Sequence, residues 1–195
     1  MKTAAVFFAD GFEDVEALTP VDYLRRAGIN VITVGIKGKP YNDSMIVTSS
    51  HDVRLITDCS LEGYLREYGE KAPDCVICPG GSRGAENLSE CEALLAHLEK
   101  AWNEKKIVAA ICASPAVVLG KTNIPHGKKW TCYPGMDKES NPEYVGMYVN
   151  KTFVSDGNLV TARGAGASEE FAMELVRLLA GEESAEKIKK GTLQR

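Results

Sequence analysis

Ile107-Val-Ala-Ala-Ile-Cys-Ala-Ser-Pro115 is the stretch that decides the fold. Five consecutive apolar residues, Ile107 to Ile111, make a short strand buried on both faces, and it runs straight into Cys112. Ala113 to Leu119 then reads as a helix. Working outward, the same alternation of short apolar runs and amphipathic stretches recurs, the pattern of a parallel sheet covered by helices. Strands are predicted at Thr3–Ala9, Asn30–Gly35 and Cys75–Cys78. Ile46–Ile56 reads as short strands turned at Ser50-His51-Asp52, and Thr152–Ser155 with Leu159–Ala162 as a hairpin turned at Asp156-Gly157-Asn158. Short strands are also expected around Lys129–Thr131 and Tyr148–Asn150.

Helices are predicted over Glu13–Ala27, Leu61–Tyr68, Ser89–Asn103, Ser168–Ala180 and Glu183–Lys190. In the first, Val15, Leu18, Val21 and Leu24 fall at helical spacing, Gly28 ends it, and Pro20 predicts a kink or break. Ser89 is the expected cap of the third. No linker, repeat or low-complexity stretch appears, so residues 1–195 read as a single α/β domain.

Composition narrows the class. At 195 residues, with 44% hydrophobic and 26% charged residues, the chain can bury a core without a disulfide or metal. A net charge of -4 and the lack of any long basic run argue against nucleic-acid or anionic-membrane partners. No apolar run approaches the roughly 20 residues that span a bilayer. The N-terminal apolar run soon meets Asp10, Glu13 and Asp14, as a buried strand does and a signal peptide does not. A cytoplasmic protein with reduced thiols is expected.

Six cysteines then need placing. Cys75-Val-Ile-Cys78 has the spacing of a redox or zinc pair, but in a strand positions three apart face opposite ways. Nothing at zinc spacing completes a metal site. Cys75, Cys78, Cys59 and Cys91 are read as core thiols, and no metal or cofactor is expected.

Chemistry is expected beyond the carboxyl ends of the strands. Cys112, at a strand-to-helix elbow, projects above the sheet and faces the free N–H groups of the next helix. Pro79-Gly-Gly-Ser-Arg-Gly84 follows the neighbouring strand; its glycines bring bare N–H groups to a turn, without the Gly-Lys-Ser/Thr ending of a phosphate loop. Asp10-Gly-Phe-Glu-Asp-Val-Glu16 opens a helix with three carboxylates after the first strand, which on its own is ordinary helix-dipole chemistry.

Together, Gly-Phe-Glu-Asp-Val-Glu16, Pro79-Gly-Gly-Ser-Arg-Gly-Ala-Glu-Asn-Leu88, Ala109-Ala-Ile-Cys-Ala-Ser-Pro115 and Thr161-Ala-Arg-Gly-Ala-Gly166 strongly resemble the ThiJ/PfpI superfamily, and within it the DJ-one branch. The resemblance spans essentially the whole chain. It implies a flavodoxin-like α/β/α sandwich, a mostly parallel sheet and a homodimer. It casts Cys112 as nucleophile and Glu16 as a protonated acid hydrogen-bonded to the sulfur. Backbone N–H groups of Gly81 and Ala113 would form an oxyanion-type pocket, with Gly80 beside them. Arg26 resembles the family arginine that reaches the partner subunit's site. Two positions depart from the human member of the branch: Tyr133 stands where it has histidine and His51 where it has arginine. With Ser82 they are candidate pocket residues.

The resemblance implies a cysteine-dependent, cofactor-free glyoxalase or deglycase, acting on α-oxoaldehydes such as methylglyoxal or on glycated protein. The alternative is an oxidative-stress sensor or redox-linked chaperone acting through a Cys112 sulfinate. A peptidase is disfavoured, because Ala113 occupies the place of that branch's histidine. A free thiol near pKa 8.5 is only about 3% ionised at pH 7. A mostly ionised one needs about 4 kcal/mol, of which a helix N-terminus offers at most about 2. Glu16 must therefore keep its proton. On this reading Cys112 is the most acidic of the six thiols.

Overall fold

The computed structural model describes residues 1–37, 45–145 and 147–194. In chain order the strands are β1 (Thr3–Ala9), β2 (Asn30–Ile36), β3 (Ile46–Thr48), β4 (Arg54–Ile56), β5 (Cys59–Ser60), β6 (Cys75–Cys78), β7 (Ile107–Ile111), β8 (Phe153–Asp156) and β9 (Leu159–Ala162). Seven of them form one sheet, ordered β5-β2-β1-β6-β7-β9-β8, parallel except for the edge strand β8. β3 and β4 pair antiparallel as a separate hairpin. Trp130 and Tyr148 make only an isolated bridge where short strands were expected.

The helices are α1 (Asp14–Arg26), α2 (Leu61–Tyr68), α3 (Ser82–Ser89), α4 (Glu92–Asn103), α5 (Ser114–Val117), α6 (Pro142–Val145), α7 (Ser168–Ala180) and α8 (Glu182–Gly191). Alternate residues of the central strands feed two cores, one on each sheet face. Ala4, Val6 and Phe8 of β1 pack with Leu24 of α1, Phe171 of α7 and Ile188 of α8. Ala5, Phe7 and Ala9 pack with Tyr64 of α2, Leu88 of α3 and Leu98 of α4. This is the three-layer, flavodoxin-like sandwich. Cys75 belongs to one core and Cys78 to the other, so their thiols face opposite ways as strand geometry requires. All six cysteines are free thiols.

Local readings need correction. Pro20 does not break α1, which is assigned as one helix. The third predicted helix starts three residues late, as α4 with Cys91 before it, and Ser89 instead ends an unpredicted helix, α3, where its hydroxyl donates to the Glu86 carbonyl. α5 is one turn, followed by a 3-10 turn at Leu119–Lys121, shorter than the helix expected after Cys112. His97 is buried in α4, 2.8 Å from the Tyr64 hydroxyl, and burial lowers its pKa to about 4.

The buried face of α1 carries Glu16, Ala17, Pro20, Val21, Tyr23 and Leu24. Val15 and Leu18, half of the predicted apolar stripe, are 50% and 38% exposed. An acid is thus inside and two aliphatic residues outside, the reverse of what hydrophobicity alone dictates.

Candidate active site

From β1 the chain passes to β2 on one side and later returns to β6 on the other. The loops after β1 and β6 therefore diverge at a switch point, where open parallel sheets form their crevices. Cys112, at the end of β7, lies beside it.

Cys112 has φ of +63°, a left-handed conformation costing a non-glycine residue about 1–3 kcal/mol. Its N–H donates to the Ala162 carbonyl at 2.9 Å and its carbonyl accepts from Tyr133 N–H at 2.8 Å, which pin the elbow from both sides. Ser114, buried at the start of α5, donates to the Pro79 carbonyl at 2.5 Å and ties the elbow to the β6 loop.

Glu16 reaches the thiol from the first turns of α1 and is 1% exposed. Its Oε2 accepts from Gly80 N–H at 3.0 Å, and its carboxyl is hydrogen-bonded to Cys112. The Gly80 carbonyl in turn accepts from Glu13 N–H at 3.1 Å. A Cβ at Gly80 would stand 2.5 Å from both Cys112 Cβ and Glu16 Oε2, so only glycine lets the β6 loop pass between thiol and acid. Gly81, at φ +85°, turns its N–H toward the sulfur, and Ala113 N–H joins it.

Burial raises the Glu16 carboxyl to about 7, reinforced by the Glu13 charge and opposed by bonds from Cys112 and Gly80 N–H. Burial, then the Glu16 charge, push the Cys112 thiol up to about 12, against the pull of the Gly81 and Ala113 N–H groups. Cys112 as the most acidic of the six thiols is therefore corrected. A one-turn α5 has little dipole to offer, and an ionised Glu16 opposes the thiolate. Nor is Cys112 alone at a helix start: Cys91 accepts from Ala93 and Leu94 N–H groups, though burial holds it high. Between about 7 and 12 the Cys112–Glu16 pair carries one proton, and the sulfur is anionic whenever that proton sits on Glu16.

The pair lies in a cleft of about 760 Å³, whose wall includes Glu13, Ser50, His51, Gly81, Ser82, Ala113 and Tyr133. Ser82, His51 and Tyr133 are thus brought together as expected. Gly80 is buried and is not part of that wall. Arg26 is not brought there by its own chain; at the far end of α1 its Nε pairs with Asp22 at 2.8 Å. His51 Nδ1 lies 2.9 Å from Asp14 Oδ2 and 3.5 Å from Glu13 Oε2. Its hydrogen bond to Asp14, then the Glu13 charge, raise its pKa. Glu13, Asp14 and His51 present ligand atoms within 4.8 Å of one another, close enough to share a cation, although ion pairing already accounts for the group. The pairing of Glu13 and Asp14 with His51, and the wall beyond Tyr133 at Met136 and Glu139, were not singled out from sequence. The Tyr133-Pro134-Gly135 turn was the available sign of that wall.

The chain matches the DJ-1/PfpI family over residues 2–178. It belongs to that family. It is 37% identical over 194 residues to protein dj-1beta of Drosophila melanogaster, covering 98% of this chain and 97% of the relative. To the Parkinson disease protein 7 homolog of Danio rerio it is 38% identical over 190 residues, covering 96% and 95%. A glutathione-independent glyoxalase, DJR-1.2 of Caenorhabditis elegans, is 29% identical over 182 residues, covering 91% and 88%. Among solved structures, oxidized Toxoplasma gondii DJ-1 superimposes with a TM-score of 0.88 at 32% identity, covering 99% of this chain and 98% of that one.

Proposed function

We propose that this DJ-1/PfpI protein is a cofactor-free glyoxalase or deglycase that converts α-oxoaldehydes, or their early adducts on proteins, to α-hydroxy acids through Cys112 and Glu16. What supports this reading above others is one contact, a buried carboxyl near neutrality hydrogen-bonded to a thiol at a strained elbow. The Caenorhabditis elegans relative named as a glyoxalase supports the same class.

With methylglyoxal, the Cys112 sulfur adds to the aldehyde carbon, forming a C–S bond while the carbonyl oxygen takes the proton from Glu16. The Glu16 carboxylate then removes the C–H proton of that carbon and returns a proton to the neighbouring ketone carbon, while the hydroxyl proton on the first carbon passes to the ketone oxygen. The first carbon is oxidised to a thioester as the second is reduced to an alcohol, so no external oxidant or reductant enters. Water breaks the C–S bond, giving lactate and restoring the thiol. N–H groups of Gly81 and Ala113 would hold the developing oxyanion. No step expels an amine, so none needs the histidine a peptidase uses.

The active assembly is read as a homodimer in which Arg26 approaches the partner's site. The exposed Val15 and Leu18 on α1, with Met45, Ile46, Val53 and Ile56 on the β3–β4 hairpin, are the apolar surface such a dimer would cover. A cytoplasmic location suits six free thiols.

Wild type should form lactate from methylglyoxal without added metal or glutathione, and Cys112→Ala should form none. Equal lactate from the two would end the proposal. Peroxide oxidation of Cys112 without any lactate would favour the alternative reading, a sensor whose sulfinate the same N–H groups hold.

A further inference from the structure

The Cys112 cleft does not stop at Ser50 and Ser82. Both residues also line a second cleft of about 600 Å³, floored by Gly11 and closed by Arg83. Every residue lining it except Gly11 has a polar or charged side chain, although the wall exposes apolar and polar surface in equal measure. Hydroxyls come from Thr48, Ser50 and Ser82, carboxylates from Asp10 and Asp52, and the guanidinium from Arg83. Arg83 packs its Cβ over Gly11, where a glycine Cβ would come within 2.8 Å of it, so the side chain starts from a fixed base. Its guanidinium makes no hydrogen bond or ion pair among the described residues, and neither does the Asp52 carboxylate.

The charges of this second cleft balance. Asp10 is paired with Lys37 at 2.9 Å, leaving Asp52 against Arg83. A phosphorylated or carboxylated tail would gain from Arg83 and lose to Asp52. A neutral tail of vicinal hydroxyls fits better, because each hydroxyl both donates and accepts: carboxylates take its hydrogens and the guanidinium binds its oxygens. Apolar tails would leave these groups desolvated and unpaired.

We infer that the second cleft is a tail subsite, and that the protein takes α-oxoaldehydes bearing a polyhydroxylated, sugar-derived tail, with the dicarbonyl at Cys112 and the hydroxyls between Asp52 and Arg83. This assignment rests on the reading of Cys112 and Glu16 as the reacting pair, and the test separates the two.

The probe is 3-deoxyglucosone, with methylglyoxal as the short control. Binding to Cys112→Ser protein, where no thioester can form, is measured by titration calorimetry, with and without Arg83→Ala and Asp52→Asn. Each substitution should weaken 3-deoxyglucosone binding about tenfold, as expected for losing one charge-assisted hydrogen bond. In the otherwise wild-type protein, each should lower kcat/KM for 3-deoxyglucosone by a similar factor and leave methylglyoxal within twofold. Unchanged binding in both variants, or no binding by the Cys112→Ser parent, overturns the subsite. A failure of methylglyoxal turnover overturns the Cys112 chemistry instead, and the binding measurement still judges the cleft.

Discussion

Cys112 and Glu16 work as one titrating unit. Cys112 could be singled out from sequence because an apolar strand ended on it, and Glu16 because its motif matched a family. Neither the positive φ at Cys112 nor the direction of its pKa was legible. The first goes with the backbone bonds to Ala162 and Tyr133 that pin the elbow, the second with how completely the site buries the sulfur, and no local pattern encodes either. Glu16 is raised from 4.5 to about 7, so the folded protein holds a proton that the unfolded chain has released between those values. That stability is fully present below 4.5 and is lost as pH rises through 7. The shift amounts to about 3 kcal/mol. Glu16→Gln should remove this decline in denaturant melts while lowering turnover of methylglyoxal at least about 100-fold, the usual range for a proton-transfer group. Wild-type kcat/KM should rise through pH 7 as the pair loses its first proton. A variant with near-normal turnover, or a wild type whose stability is flat from pH 4.5 to 7, would show that Glu16 is not the buried acid of the site.

The helix α1 shows what periodicity can and cannot tell. Its extent was legible almost to the residue, because the spacing of Val15, Leu18, Val21 and Leu24 is helical whichever face is buried. Which face is buried was not legible. Packing against β1 and α7 turns Glu16 inward and leaves Val15 and Leu18 in solvent. Ser89 misled for a related reason: a serine before an apolar run looks like a cap, yet here it finishes α3. The exposed stripe gives the dimer proposal its test at this scale. Wild type should sediment near 42 kDa, twice the 21.1 kDa chain, and Val15→Lys/Leu18→Lys should sediment as a folded monomer. Wild type found only as monomer at micromolar concentration would remove the dimer, and with it the role of Arg26.

Across the whole molecule, the alternation of strands and helices was enough to read a parallel sandwich, and both Cys-x-x-Cys thiols fell where strand geometry put them. Strand order was not readable, since it is set by which faces meet after each crossover between parallel strands. Yet that order positions the candidate site. Reversing direction between β2 and β6 opens the sheet beside β1, so that a loop from each of β1, β6 and β7 contributes to one cleft: Glu16, Gly80 and Cys112 come from parts of the chain up to 96 positions apart (112 − 16). In the proposed reaction this convergence moves a proton between two adjacent carbons. Proton NMR of lactate formed from methylglyoxal in D₂O tests it most directly. Transfer through an exchangeable Glu16 should place deuterium on the carbon beside the carboxylate. Lactate carrying only protium at that carbon would show that the migrating hydrogen never exchanges with solvent, and would contradict transfer through an exchangeable Glu16.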